Sequence, residues 1–306
     1  MEDYELTLFD RIEVIKKVND EHDLENNSYI SFSGGGDSVL LHYLIDMALP
    51  NNNIPRVFIN TGIEYNEIVS FVKKMQENDK RIIIIRPKQP IKQMLEENGY
   101  PFKSKQHSHN LSIYQNSGMT KSVRKYLGID KGNNMFVCPK KLQYQFTKDF
   151  KIKVSDKCCY KMKKEPAKLY EIESGRKIAI LGLRSSEGGQ RASHKGCVVF
   201  DTKNKNQLRK FKPLNPITND FKNWFIEKNN IKLCKLYYPP YNFERTGCRL
   251  CPFALNIEKK IQTLRKHFPN ELKSAEYIFQ PILKEYRRIG YRLKKHEEIK
   301  LFELEE

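Results

Sequence analysis

The chain has 306 residues, 39% of them hydrophobic and including 17 Phe and 16 Tyr, enough to bury at least one sizeable core in one or two domains. No stretch approaches the roughly 20 apolar residues of a membrane span, the acidic start Met1-Glu2-Asp3-Tyr4-Glu5 is unlike a signal peptide, and seven cysteines make an odd count for a disulfide framework; a globular protein of the reducing cytoplasm, with no membrane partner, is expected. A net charge of +18 implies an anionic partner such as a nucleotide or nucleic acid, and 16 basic against 6 acidic residues lie between Lys121 and Lys177.

Glu5 to Val18 reads as an amphipathic helix with Leu6, Phe9, Ile12, Val14 and Ile15 near one face. A strand, Tyr29-Ile30-Ser31-Phe32, leads into a Gly34-Gly35-Gly36 turn and a second helix through Val39, Leu40, Leu41, Tyr43 and Leu44. Arg56 to Ile59 reads as the next strand, 67–77 as a helix, and Arg81 to Ile85, with its run of isoleucines, as a third, fully buried strand. This alternation predicts an α/β fold, a doubly wound and mostly parallel sheet with helices on both faces.

From about 100 to 157 the chain is rich in Lys, Asn, Ser and Gln and lacks periodicity until Leu142, Phe146 and Phe150 recur at helical spacing; it reads as a basic insertion or lid. Lys177 to Gly182 returns to the sheet pattern, and Asp220 to Lys228 reads as a helix whose apolar face includes Phe221, Trp224 and Phe225. The last fifty residues read as helical, broken at Pro269 and Pro281. The expected organisation is an N-terminal helix (1–25), a nucleotide-binding domain (26–255) carrying the insertion 100–157, and a helical C-terminal extension (256–306).

Ser33-Gly34-Gly35-Gly36-Asp37-Ser38 stands between a strand and a helix, where glycines let backbone N–H groups approach an anion beside hydroxyls and a helix N-terminus. It lacks the Gly-Lys-Ser/Thr ending of a Walker loop. Ser-Gly-Gly-x-Asp-Ser after an apolar strand resembles the PP-loop of the ATP pyrophosphatases and phosphoadenosine-phosphosulfate (PAPS) reductases. Val57-Phe58-Ile59-Asn60-Thr61-Gly62-Ile63-Glu64-Tyr65 is similar to that family's second-strand segment, with Asn60 where an aspartate is usual. Gly182-Leu183-Arg184-Ser185-Ser186-Glu187, followed by Arg191, resembles its Gly-x-Arg-x-x-Glu segment, whose arginines face the bound anion; guanidinium forks suit phosphate or sulfate.

Cys158-Cys159 and Cys248-x-x-Cys251 are two thiol pairs about ninety residues apart. On a helix, adjacent cysteines diverge by only about 100° and reach two irons of one cube, so Cys158 and Cys159 are placed on a helical turn. A structural zinc ion held by four thiolates is the competing reading. The run from Cys158 to Pro166 and the segment Gly247-Cys248-Arg249-Leu250-Cys251-Pro252 resemble the cysteine pairs of [4Fe–4S] adenylylsulfate reductases. That resemblance places Lys163 beside the cluster, where a cation offsets the charge of a cube on four thiolates. Cys138 and Cys197 could each be a reactive or a core thiol, and Cys234 reads as core.

The resemblance, from about Ser28 to Phe253, implies an adenine-nucleotide enzyme. Reductases of this family take the sulfonate onto a cysteine near the C-terminus, and this sequence has no cysteine after Cys251. A second group with the same loop binds ATP and cleaves between the α and β phosphates, adenylating a substrate oxygen before sulfur insertion; DNA phosphorothioation enzymes and transfer-RNA thiolases belong to it. The favoured expectation is ATP-dependent activation for sulfur transfer. Thr61, Gly62 and Gly182 would join the loop around the nucleotide, Asp37 would act through Mg2+ or by orienting the loop, and Arg184 and Arg191 would balance developing charge. A transfer-RNA or DNA acceptor and a sulfur-donor protein are the implied partners. The alternatives are authentic reduction of adenylylsulfate or PAPS to sulfite, and a non-catalytic nucleotide or nucleic-acid-binding module.

Overall fold

The computed structural model describes residues 3–130, 137–187 and 196–295. In chain order the elements run α1 (Asp3–His22), α2 (Leu24–Asn27), β1 (Ser28–Phe32), α3 (Gly36–Ala48), β2 (Arg56–Ile59), α4 (Asn66–Asn78) and β3 (Ile82–Ile85). They continue with α5 (Ile91–Asn98), α6 (Lys105–Ser117), α7 (Lys121–Leu127), a 3₁₀ helix (Lys140–Phe146), a π-helical turn (Tyr160–Lys164) and α8 (Glu165–Ser174). The remainder is β4 (Ile178–Ile180), β5 (Val198–Phe200), β6 (Leu208–Phe211), α9 (Asn219–Lys228), α10 (Ile257–His267) and α11 (Pro269–Ile289). These residues form two compact units, one from 1–60, 64–87 and 165–247, the other from 61–63, 88–164 and 248–306.

The first unit is the expected α/β layer. Its six strands lie in the order β3-β2-β1-β4-β6-β5, parallel throughout except for the β5–β6 pair. Ile30, Phe32, Phe58 and Ile180 are buried on one face of the inner strands, where α3 brings Val39, Leu40, Leu41, Leu44 and Ile45, and Tyr29, Val57 and Ala179 form a second cluster with Tyr170 on the other face. The order runs outward from β1 to β3 and then restarts on the other side of β1 with β4. The loops after β1 and β4 therefore part at a topological switch point, the place where such sheets bind ligands.

Three expectations are corrected here. The isoleucine strand is the sheet's edge, and only Ile82 is buried while Ile83, Ile84 and Ile85 are partly covered. A fully apolar strand run thus reflects partial cover by α4 rather than a central position. In α1 the buried residues are Arg11, Ile15 and Val18, whereas Leu6 and Phe9 are 50% and 61% exposed, because the packed stripe starts a turn later than the apolar pattern. The helical spacing from Leu142 to Phe150 belongs to a 3₁₀ helix that ends at Phe146, burying Leu142 and Phe146.

The second unit contains the segment without sequence periodicity, which nonetheless builds α6 and α7. Ser104 caps α6 by accepting from His107 N, Thr120 caps α7 by accepting from Val123 N, and Phe102, Leu111, Val123, Tyr126 and Phe146 are buried. His107 is buried inside this core between Tyr126 Oη at 3.0 Å and Gln145 Oε1 at 2.7 Å. Burial holds its imidazole down at about 4, so it stays neutral. Pro269 occupies the first turn of α11 and Pro281 lies inside it, with the backbone kinked at Phe279. No described helix is long and apolar enough to cross a membrane.

Candidate functional site

The loop after β1 is knitted by its own hydroxyls. Ser38 Oγ donates to Gly35 O at 2.8 Å and accepts from Ser33 N at 3.2 Å, and Ser33 Oγ lies 3.1 Å from Ser38 Oγ. Gly34 takes φ +68°, and a side chain there would meet Val72 and Ile68 of α4, so glycine is required on two counts. Gly36 N donates to the hydroxyl of half-buried Tyr237 at 3.0 Å. Gly182, in the loop after β4, lies so close to the start of α3 that a Cβ would sit 2.9 Å from Asp37 O. The glycine of the Gly-x-Arg segment is thus what lets the two switch-point loops touch.

Arg184, 4% exposed, follows two residues later and donates from Nε to Asp37 Oδ1 at 2.9 Å. Its Nη1 is held by Asn219 Oδ1 at 2.9 Å and Ser186 Oγ at 3.1 Å. Sequence reasoning missed a third member, Lys222 on α9, whose Nζ reaches the same Asp37 Oδ1 at 2.9 Å. Both cations meet one carboxylate oxygen, so Oδ2 is the atom that could hold a magnesium ion whose other ligands are phosphate oxygens and waters. These side chains open onto a cavity of about 840 Å3 lined further by Asn223, Tyr237, Tyr238, Phe243 and Arg245. Arg191 lies outside the described residues.

In the second unit Cys158, Cys159, Cys248 and Cys251 line one small, enclosed and otherwise apolar cavity with Lys163, Met162, Thr61 and Phe279. Cys158 and Cys159 lie on a helical turn leading into the π-helical segment, as the tandem spacing requires. Burial, followed by the charges of Cys159, Cys248 and Cys251, pushes the Cys158 thiol up, and Lys163 opposes them. Arg249, between the second pair, fixes its turn: its backbone N–H donates to Ile63 O and its Nη2 to Gly62 O, each at 3.0 Å, and its Nη1 to Glu271 at 3.1 Å. Thr61 thus lines the thiol cavity, while Gly62 contributes the carbonyl that holds Arg249.

A tetrahedral zinc ion with 2.3 Å bonds would draw four sulfurs to about 3.8 Å from one another. Among the described residues the one group of three or more candidate ligand atoms lying mutually within 4.8 Å is His42, Asp46 and Asp79, not any three of these thiols. Four thiols around one cavity, faced by a lysine, are a donor set that fits an iron–sulfur group, which would supply redox-active or sulfur-carrying iron there. The His42 group is a charge network instead: Arg81 pairs with Asp46 at 2.8 Å and with Asp79 at 2.9 Å, Arg56 pairs with Asp46 at 2.5 Å, and burial holds His42 down at about 4.

The remaining thiols are not among the residues that line these cavities. Cys138 is buried beside His107 and Tyr126, and burial pushes it up to about 11. Cys197 lies 3.5 Å from Arg11 Nη1, and Cys234 is buried. No disulfide joins any of the seven cysteines.

A PP-loop at the switch point of a mostly parallel sheet, with the Gly-x-Arg segment packed on it, defines a PP-loop nucleotide-binding fold of the α/β class. The chain belongs to the phosphoadenosine phosphosulfate reductase domain family, whose profile matches residues 27–137 and 128–254. It is 26% identical over 271 residues to an uncharacterised protein of Methanocaldococcus jannaschii; the match takes in 84% of this chain and 51% of the relative, so the chain spans about half that relative's length. Among solved structures it is similar to the phosphoadenylyl-sulfate reductase of Candida auris in a phosphate complex, at 14% identity and a TM-score of 0.43 over 72% of this chain and 81% of that one. It is also similar to the U34-tRNA thiolase NcsA of Methanococcus maripaludis with its [4Fe-4S] cluster, at 16% identity and a TM-score of 0.41 over 91% of this chain and 80% of that one.

Proposed function

We propose that the chain is an ATP-dependent activating enzyme that binds ATP at the Ser33–Ser38 loop and cleaves it between the α and β phosphates for sulfur transfer. The observation that carries this reading is Asp37, held by Arg184 and Lys222 at the mouth of a roomy cavity beside the loop. An acceptor oxygen in that cavity would attack the α phosphorus, the bond to the bridging oxygen would break, and pyrophosphate would leave toward the cations. Asp37 would hold magnesium against the phosphates. A sulfonucleotide reductase acting with its own thiol needs a cysteine at the bound sulfate, and none of the seven lines this cavity.

Cys158, Cys159, Cys248 and Cys251 would hold a [4Fe–4S] cluster, with Lys163 balancing its charge, in a protein of the reducing cytoplasm. Exposed Lys121, Lys125, Lys140, Lys148, Lys151 and Lys157 support a nucleic-acid acceptor. The test is release of AMP and pyrophosphate from Mg-ATP, with and without bulk transfer RNA or duplex DNA at low salt. Turnover lost in Asp37→Asn and stimulated by either nucleic acid is expected. Unchanged turnover in Asp37→Asn, or sulfite release from adenylylsulfate with reduced thioredoxin, would overturn the reading, and stimulation by neither polymer would point to a small-molecule acceptor.

A further inference from the structure

The structure assigns to Lys222 the role of the cation that meets the β and γ phosphates, with Arg184 as a positioning residue acting through Asp37; this rests on the proposed ATP reading. The argument is one of donor capacity. Arg184 is 4% exposed, and three of its five N–H groups are already directed to Asp37, Ser186 and Asn219. Lys222 pairs with Asp37 Oδ1 at 2.9 Å through an ammonium that carries three donors, on a side chain that lines the cavity. Its ammonium reaches the loop because residue 36 has no side chain: a Cβ on Gly36 would lie 3.0 Å from Lys222 Nζ and 3.2 Å from its Cε. A lysine from α9, nearly 190 residues away in sequence, thereby occupies side-chain space of the phosphate loop itself. It lines the cavity beside Asp37 that the proposed reading gives to the nucleotide's phosphates.

Calorimetry with ATP, pyrophosphate and AMP on the whole protein tests the assignment. Lys222→Met, which keeps the side chain's length, should weaken ATP and pyrophosphate about tenfold to a hundredfold, as expected for a charge-assisted contact, and leave AMP unchanged. Lys222→Arg should restore most of the ATP affinity. Gly36→Ala, which must push the ammonium aside but meets no backbone, should also weaken ATP against AMP, and that effect should vanish in the Lys222→Met background. It keeps the question open to measurement even if Lys222→Met misfolds. Wild-type protein that binds no ATP would refute the underlying reading. Wild-type binding with an unchanged ATP-to-AMP ratio in Lys222→Met or Gly36→Ala would refute the role of Lys222 alone.

Discussion

Gly182→Ala isolates the contact on which the candidate site depends. The added methyl would sit 2.9 Å from Asp37 O, 3.1 Å from Asp37 C and 3.3 Å from Ser38 N, where ordinary contact begins near 3.4 Å. All three are backbone atoms at the start of α3, so none can rotate away, and the two loops must part by about half an ångström. Overpacking of this kind costs about 1–3 kcal/mol. At roughly 2–4 °C per kcal/mol for a domain of this size, the midpoint of thermal unfolding should fall by about 2–12 °C. Asp37 would move with the backbone, so ATP affinity should fall in the same variant. Gly247→Ala is the control, since a Cβ there meets nothing within 4 Å. Differential scanning calorimetry on both, with and without ATP, gives the answer. A Gly182→Ala protein that melts and binds ATP like Gly247→Ala would show that the loops do not meet as described.

Anaerobically purified protein should be brown with about four irons per chain, and Cys158→Ser or Cys251→Ser should bleach it; one stoichiometric zinc in a colourless protein, read by elemental analysis, would refute the cluster. Buried His42 and His107 are each held down to about 4 in the fold, so between that value and about 6.5 the unfolded chain takes up protons that the folded chain refuses. Stability should therefore fall as pH is lowered through this window, by at most about 3 kcal/mol per ring. Urea midpoints measured across pH should show a shallower fall in His107→Gln, and identical slopes would count against a neutral, buried His107.

What the sequence disclosed was local. Ser33 to Ser38 and Cys158-Cys159 concentrate their chemistry in consecutive residues, so spacing alone located them, and the alternation around them gave the parallel sheet. Lys222 and Tyr237 were invisible because each reaches the loop from about 200 residues away, and nothing in Phe221-Lys222-Asn223 or Leu236-Tyr237-Tyr238 marks them among so many lysines and tyrosines. The helix α6 escaped periodicity because its buried face includes polar His107, Ser108 and Asn110, and α7 because its seven residues bury only Val123 and Tyr126. Their caps, Ser104 and Thr120, were the overlooked signal.

The edge position of β3 bears on how the protein stays dispersed. Ile82–Ile85 bonds to β2 on one side and presents the sheet's outermost ladder on the other, with three of its isoleucines only partly covered. An apolar strand end of this kind is a template for pairing with a second chain. Lys80 precedes it and Arg86 and Lys88 follow it in sequence, so a second copy of the strand approaching to extend the sheet meets like charge at both ends. Some of the chain's large positive charge thus acts as a set of gatekeepers against aggregation, independently of any ligand.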